Sequence, residues 1–468
     1  MRARLLLLAG ALAAFGASLG SGFHFDDYAI FSGPILRFDL WQTRPLTLLS
    51  FWLNYQADGA RPIGYHAVNL LLHLVAVLLA YECLKRLMSE RAAVLAAAVF
   101  AIHPMQAEAV NYVWARSILL ATVLCLASLL EWLRGRPWIA VAWFAAALLA
   151  KEECAAFPLL LWGTPPGLPH RPGRLPHIAM FGLSLLAGAR VIYATLVTPG
   201  VPAGFQAGIS PWLYFSSQSV VILRYLRLLI LPYGFTVDPD VHVPVWLGLV
   251  AWVGILGAVA YVWRSGKGRW LAAGLLLLLP SSSIFPAADL AADRRMYLPM
   301  VAFAAAAGLA LAQVKPPWVT AALGAILLAF SVVRTTVWMS EQALWREAVE
   351  RAPDKVRPKI QLARAVPAAQ ALELLNQARL SAPYDPAIAA EIGKILLSEG
   401  QPEAALEEFG RALALAPRDA RNLNNRGVAL QALWQTEAAR QDFERALAID
   451  PNLTEARENL ARISRPAR

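Results

Sequence analysis

Long apolar runs joined by short charged links fill residues 1–340, and an amphipathic, highly charged pattern fills 341–468. A helix needs about 20 apolar residues to cross the ~30 Å hydrocarbon layer of a membrane. Runs near 4–20, 64–84, 92–111, 115–133, 137–151, 153–168, 175–196, 245–263, 270–286, 299–315 and 317–337 predict about eleven such helices. The first run follows the basic start Met1-Arg2-Ala3-Arg4. It reads as an uncleaved helix rather than a signal peptide, because no clean small-x-small site precedes the charged loop and many spans follow. The stretch 212–232 is interrupted by Arg224 and Arg227 and reads as a re-entrant or interfacial helix.

Charge orients these runs. Lys and Arg cluster at Arg2/Arg4, Lys85/Arg86/Arg91, Arg134/Arg136, Arg171/Arg174 and Arg264/Lys267/Arg269. Such clusters mark cytoplasmic loops. The N-terminus is then cytoplasmic, and loops 21–62, 103–114, 197–244 and 287–298 face outward with the C-terminal tail. The formal net charge of +10 is thus a topology signal, and no nucleic-acid module is present.

The tail repeats on a 34-residue period: Gly393, Ala405, Phe409, Ala412 and Pro417 return as Gly427, Ala439, Phe443, Ala446 and Pro451. An eroded copy shows Ala371, Leu375, Ala378 and Pro383, and a partial one ends with Trp345, Ala348 and Pro353. Small residues let paired helices approach, aromatics fill the gap between repeats, and proline ends the second helix. The pattern resembles the tetratricopeptide repeat, with complete copies over about 384–417 and 418–451. A spacer and a concave peptide-binding surface both remain open as its role.

Composition agrees with a membrane domain (1–340) followed by a repeat domain (341–468): 58% of residues are hydrophobic and 16% charged, against about 25% charged in soluble domains. Cys83, Cys125 and Cys154 all fall in or beside apolar runs and suggest neither a disulfide framework nor a thiolate metal site.

Several polar groups lie where a membrane anchor has no use for them. The first outward loop reads Phe23-His24-Phe25-Asp26-Asp27-Tyr28. One carboxylate of such a pair can take a proton from an acceptor hydroxyl and the other can orient it or bind a cation. A solvated acidic pair is the plain alternative. Arg44 follows, suited either to a carboxylate partner or to a phosphate. His66, Asn69 and His73 share one helix face and read as helix–helix hydrogen bonding. His103, Glu108 and Arg116 surround an outward turn, Lys151-Glu152-Glu153 ends a helix, and Asp289, Asp293, Arg294 and Arg295 lie in another outward loop. Ionisable groups at membrane depth point to function or to pairing. H-E-x-x-H, Walker and dinucleotide motifs are absent from the sequence, so metalloprotease, ATPase and dehydrogenase chemistry is unsupported.

The ordered elements FHFDDYAIF, RPLTLLSFWLNY, GYHAVNLLLH, FAIHPMQAEAVNYVWARSILLA, KEE, RYLRLLILPYG and DRRMYLP, followed by the repeats, resemble the transmembrane and tetratricopeptide repeat-containing O-mannosyltransferases of the GT-C superfamily. The resemblance implies an all-α polytopic GT-C fold with a short α-solenoid, and an inverting enzyme taking sugar from a polyprenyl phosphate donor. It implies that Asp26 and Asp27 are the catalytic feature. His103, Glu108, Lys151 and Glu152, with Arg44, would line the active cavity or meet the acceptor. Arg294 or Arg295, helped by Arg116 or Lys151, would hold the donor phosphate. The sequence requires no cofactor and leaves a divalent cation beside the acidic pair open. The implied partners are the sugar lipid and a protein or peptide acceptor, a Ser or Thr hydroxyl above all, that the repeats could bind. The chain is shorter than metazoan members, and its Ala-, Leu- and Arg-rich composition looks bacterial. That would place it in the inner membrane with active loops and repeats on the periplasmic side. Transfer to a glycan or lipid acceptor, and a non-catalytic membrane-anchored scaffold for envelope assembly, are the rival readings.

Overall fold

Proline marks where many of the helices begin. In the computed structural model it occupies the first turn of Pro45–Asp58 (α2), Pro62–Leu84 (α3), Pro137–Ala150 (α7), Pro211–Ile230 (α10), Pro299–Leu311 (α13) and Pro317–Val337 (α14). Its fixed φ suits that turn and its missing N–H leaves no bond unmade there. The structure describes residues 1–31, 43–162, 173–197, 209–241, 243–264, 268–287 and 289–464. The other helices before residue 340 are Arg2–Phe15 (α1), Glu90–Ile102 (α4), Ala107–Asn111 (α5), Arg116–Leu133 (α6), Phe157–Trp162 (α8), Arg174–Val197 (α9), Val245–Arg264 (α11) and Arg269–Leu277 (α12). The chain divides into two compact units, Met1–Ser340 and Glu341–Arg468.

The first unit is an all-α, multi-pass membrane fold. Among the described residues, seven helical stretches are long and apolar enough to cross a membrane: Arg2–Gly20, Pro62–Leu84, Val113–Leu133, Arg174–Val197, Pro211–Ile230, Val245–Arg264 and Pro317–Val337. The pair Glu90–Ile102 and Pro104–Asn111 makes an eighth if it counts as one span. Helices α9, α11 and α14 leave most of their apolar side chains uncovered by protein. That surface would aggregate in water and is at home in lipid. By contrast α6 is largely enclosed, packing on α3 and α7 around Trp132, Phe144 and Phe157. Helices α4 and α13 lie so close that a Cβ at Gly308 would come within 2.5 Å of the Ala92 carbonyl oxygen.

The count of about eleven spans is not reproduced, for local reasons. The run 92–111 bends by 48° at His103. His103 is extended (φ −76°, ψ 134°) because the ring of Pro104 disfavours a helical predecessor. Helices α7 and α13 have 14 and 13 residues. At 1.5 Å per residue they reach about 20 Å, short of the hydrocarbon thickness. The run 270–286 is helical only as the nine residues of α12, with Pro280 and Ser281–Ser283 in the turns beyond it. The run 153–168 starts as a short turn and the six-residue α8, and its remainder after 162 lies outside the described residues. The stretch 212–232, expected as re-entrant or interfacial, is one unbroken 20-residue helix, Pro211–Ile230, long and apolar enough to cross a membrane. Arg224 does not interrupt it, because its charge is met by Asp293.

The second unit starts with Glu341–Arg351 (α15), continues as the helix pairs Val356–Ala363 (α16) with Ala368–Ser381 (α17), Pro386–Ser398 (α18) with Pro402–Leu415 (α19) and Ala420–Ala432 (α20) with Thr436–Ile449 (α21), and ends with Thr454–Ile463 (α22). Gly393 and Gly427 serve close approach. A Cβ there would lie 2.8 Å and 2.5 Å from the fully buried rings of Phe409 and Phe443. The recurring small residues and aromatics of the sequence are therefore in contact, and Ala405, Ala412, Ala439 and Ala446 are buried between the helices.

Candidate active site

The acidic loop is a tight, pinned turn. Asp27 closes it by accepting the His24 N–H on Oδ2 at 2.8 Å, while its own N–H donates to the His24 carbonyl at 2.8 Å. Its Oδ1 accepts the Trp114 N–H at 2.7 Å, tying the loop to the start of the Val113–Leu133 span. Phe25 takes a positive φ of 45°. That costs a bulky residue about 1–3 kcal/mol, and the kink sends consecutive carboxylates in opposite directions. Asp27 is wholly buried and Asp26 is exposed. Burial pushes the Asp27 carboxyl up to about 8, against the pull of the N–H donors of His24, Trp114 and Val113, and the Asp26 charge adds to the rise.

The loop is also fastened to the far end of the membrane unit. His24 Nε2 bonds the Trp338 carbonyl at 2.7 Å, and Phe25 packs edge-on against Tyr112 and Trp338. Asp26 Oδ2 accepts the Tyr112 hydroxyl at 3.0 Å. The Arg294 guanidinium lies 5.7 Å from the centroid of the same ring, within cation–π range.

Arg294 heads a charged cluster. It bonds the buried Glu108 through its guanidinium and, at 3.2 Å, through its backbone N–H, and it reaches Asp289 at 3.0 Å. Burial works against the Arg294 charge, but Glu108 and Asp289 outweigh it and its pKa is raised. Arg44, the left-handed residue (φ 59°) before α2, forks onto Glu152, with Nε 3.0 Å from Oε2. Burial raises the Glu152 carboxyl, yet the Arg44 charge and hydrogen bond bring it down to about 2. Lys151 pairs with Glu153 at 3.2 Å rather than with Glu152. Arg44, Lys151 and Arg294 are close enough to affect one another's charge. Residues 26–27, 44, 108, 151–153 and 289–294 thus meet at one end of the membrane unit.

Three expected groups are occupied elsewhere. Arg116 is fully buried, and its guanidinium donates to Asn69 Oδ1 (2.9 Å), the Tyr65 carbonyl (3.0 Å) and the Ser50 carbonyl (3.2 Å). It braces the acidic loop's supports and is sealed from a donor phosphate. Arg295 is 8% exposed and donates to the carbonyls of Asp289 (2.7 Å) and Leu290 (3.2 Å), shaping the loop that aims Arg294. His103 accepts the Met105 N–H on Nδ1 at 3.1 Å and meets the Leu229 carbonyl through Nε2 at 3.2 Å. With both nitrogens engaged it joins the bend after α4 to the end of α10. Of the three expected to bond helix to helix, His73 does so, meeting the Ala101 carbonyl of α4 at 3.1 Å and the Tyr297 hydroxyl at 2.7 Å, whereas His66 and Asn69 hold the Gly22 and Tyr112 carbonyls of the loops between helices. Tyr112 and Trp338 were not singled out as site residues, and Glu153 and Asp293 were named without their partners Lys151 and Arg224. For Tyr112 the available signal was an aromatic eight residues after Pro104 at an outward helix end. Among the described residues no three His, Cys, Asp or Glu side chains are grouped to hold a metal ion.

Comparison with known proteins separates the two units. Residues 388–419 and 420–453 each match the tetratricopeptide repeat family. The protein O-mannosyl-transferase Tmtc1 of Drosophila melanogaster is 32% identical over 246 residues, covering 44% of this chain and 28% of its own length. Human protein O-mannosyl-transferase TMTC3 is 31% identical over 166 residues, covering 31% of this chain and 18% of its own. Human TMTC4 is 26% identical over 458 residues, covering 75% of this chain and 62% of its own. The chain therefore matches less than two thirds of the length of these relatives. Among solved structures, ArnT from Cupriavidus metallidurans bound to undecaprenyl phosphate aligns over 94% of this chain and 79% of that one, with 13% identity and a TM-score of 0.42. The chain is a multi-pass membrane protein similar in sequence to the protein O-mannosyl-transferases, and it carries tetratricopeptide repeats in its second unit.

Proposed function

We propose that the membrane unit is a GT-C-type glycosyltransferase that moves a sugar from a polyprenyl phosphate donor to a hydroxyl acceptor, with inversion at the anomeric carbon. The observation that carries this reading is the exposed Asp26 carboxylate, held by Tyr112 beside the Arg294 cluster. A base at the hydroxyl of an aromatic ring and a cation over that ring suit a reaction in which a hydroxyl loses a proton while a phosphate gains charge. Asp26 takes the proton of a Ser, Thr or sugar hydroxyl. The oxygen attacks the anomeric carbon, the bond to the phosphate oxygen breaks, and the polyprenyl phosphate leaves with the electron pair. Arg294 and Arg44 are the guanidiniums with side chains still partly open, 22% and 33%. Their remaining N–H groups stabilise the leaving phosphate, where preorganised charge acts on the transition state. Asp27 fixes the loop that presents Asp26. The repeats present the acceptor in this proposal.

The test is transfer by purified protein from a panel of radiolabelled polyprenyl-phosphate sugars, mannose included, to a secreted-protein extract. Transfer from one donor that falls about 10²–10⁴-fold in Asp26→Asn supports the reading. Transfer from no donor by folded, lipid-binding protein favours the scaffold reading, and undiminished transfer by Asp26→Asn removes Asp26 as the base.

A further inference from the structure

Tyr112 belongs to no charged motif, yet its side chain meets both Asp26 and Arg294. It is 2% exposed. Its ring stacks on Trp338 with centroids 6.0 Å apart and planes 26° apart, and it meets Phe25 edge-on at 5.6 Å. Its backbone is anchored as well, the carbonyl accepting the Asn69 amide at 3.1 Å. The ring is thus fixed in place, and its hydroxyl rests on one oxygen of Asp26. Among the described residues the other oxygen, Oδ1, has no hydrogen-bond donor. The charged and titratable groups around this pair are Asp27 and His24 from the acidic loop, Arg294 with Glu108 and Asp289 behind it, Arg116 on the far side of Asp27, and Arg334 beside Trp338.

We propose that Tyr112 is a positioning residue: it clamps Asp26 through Oδ2, so that Oδ1 alone is presented to the acceptor hydroxyl, and it sets the distance between that base and Arg294. The inference rests on the glycosyltransferase reading above. A carboxylate on a loop otherwise swings about its own torsions, and a fixed donor removes that freedom. Burial and the charges of Asp26 and Asp27 push the phenol's own proton release far up, so it stays a donor.

The experiment compares full-length wild type, Tyr112→Phe and Asp26→Asn with a polyprenyl-phosphate sugar donor. Tyr112→Phe keeps the ring and loses the donor. The expected result is a fall in kcat of about 10- to 100-fold with donor KM unchanged. Fluorotyrosine at position 112 keeps both the shape and the donor, so it retains most of the wild-type kcat. Binding of a polyprenyl phosphate, which needs no chemistry, checks that each variant is folded. Wild-type kcat in Tyr112→Phe, with transfer lost in Asp26→Asn, overturns the Tyr112 assignment alone. Undiminished transfer in Asp26→Asn overturns the base reading and the Tyr112 assignment with it.

Discussion

Arg294 and Glu108 allow the structural and chemical roles of one ion pair to be separated. Glu108 is 4% exposed and touches Arg294 through both its guanidinium and its backbone N–H. Arg294→Gln leaves a carboxylate buried with its cation gone. Removing one member of a buried pair costs about 3–5 kcal/mol, most of it the stranded charge. The Arg294 side chain keeps 22% of its surface open, which admits water and places the cost near the low end, about 3 kcal/mol. Glu108→Gln is milder, because Arg294 retains Asp289 at 3.0 Å. The double variant removes both charges together and is expected to recover about 1–2 kcal/mol relative to the sum of the single effects. In a domain of this size that recovery is a few degrees in Tm, at about 2–4 °C per kcal/mol. All three cysteines, Cys83, Cys125 and Cys154, are free and buried in the membrane unit, so a thiol-reactive fluorophore reports its unfolding. The same proteins are then titrated with a polyprenyl phosphate. If Arg294 binds the phosphate, the double variant regains stability and does not regain affinity. Strictly additive melting shifts would refute the coupling, and wild-type lipid affinity in Arg294→Gln would refute the phosphate assignment.

Two further outcomes are expected. The folded Asp27 carboxyl titrates near 8, well above the ordinary value of about 3.9. The folded state therefore holds a proton that the unfolded chain has released. Its contribution to stability is complete below about pH 4 and is lost as pH rises toward 8, with a slope of up to about 1.4 kcal/mol per pH unit. Thermal melts across that window, followed by intrinsic fluorescence, should show a wild-type slope that Asp27→Asn removes, and identical slopes would refute the assignment. In the repeats, Gly427→Ala drives a Cβ to 2.5 Å from the Phe443 ring and should cost about 1–3 kcal/mol. Gly410→Ala meets nothing within 4 Å on α19 and should be neutral or stabilising by up to about 1 kcal/mol. Circular-dichroism melts of residues 341–468 compare the two.

Hydropathy runs near 4–20, 64–84, 115–133, 175–196, 245–263 and 317–337 became helices within a few residues of their expected ends. A spanning helix satisfies its own backbone bonds and needs only apolar side chains, so its signal is local. The 34-residue period was equally legible, because each repeat places the same small residue under the same aromatic ring. The break at His103 was written in Pro104 and was overridden by the length of the apolar run. Which of Arg44, Arg116, Arg294 and Arg295 stay open to a ligand was not legible. Arg116 and Arg295 are engaged chiefly by backbone carbonyls, which every residue has and no sequence pattern marks. Arg44 meets Glu152 across 108 positions, a separation that no local spacing reports.

What the sequence alone determined is therefore six of the long spanning helices, the repeat period and the identity of the charged groups at the ends of the apolar runs. Only the tertiary structure decided how those groups divide their work. Asp26 and Asp27 are neighbours of the same chemistry, and a left-handed turn at Phe25 with two backbone N–H bonds buries one and exposes the other. Tyr112 gained its place because packing brought Asp26, Trp338 and Arg294 around one ring. The physical reason is range. Helix formation and repeat packing are dictated over a few turns, whereas burial, charge pairing and access to a ligand depend on which distant segments the fold brings together.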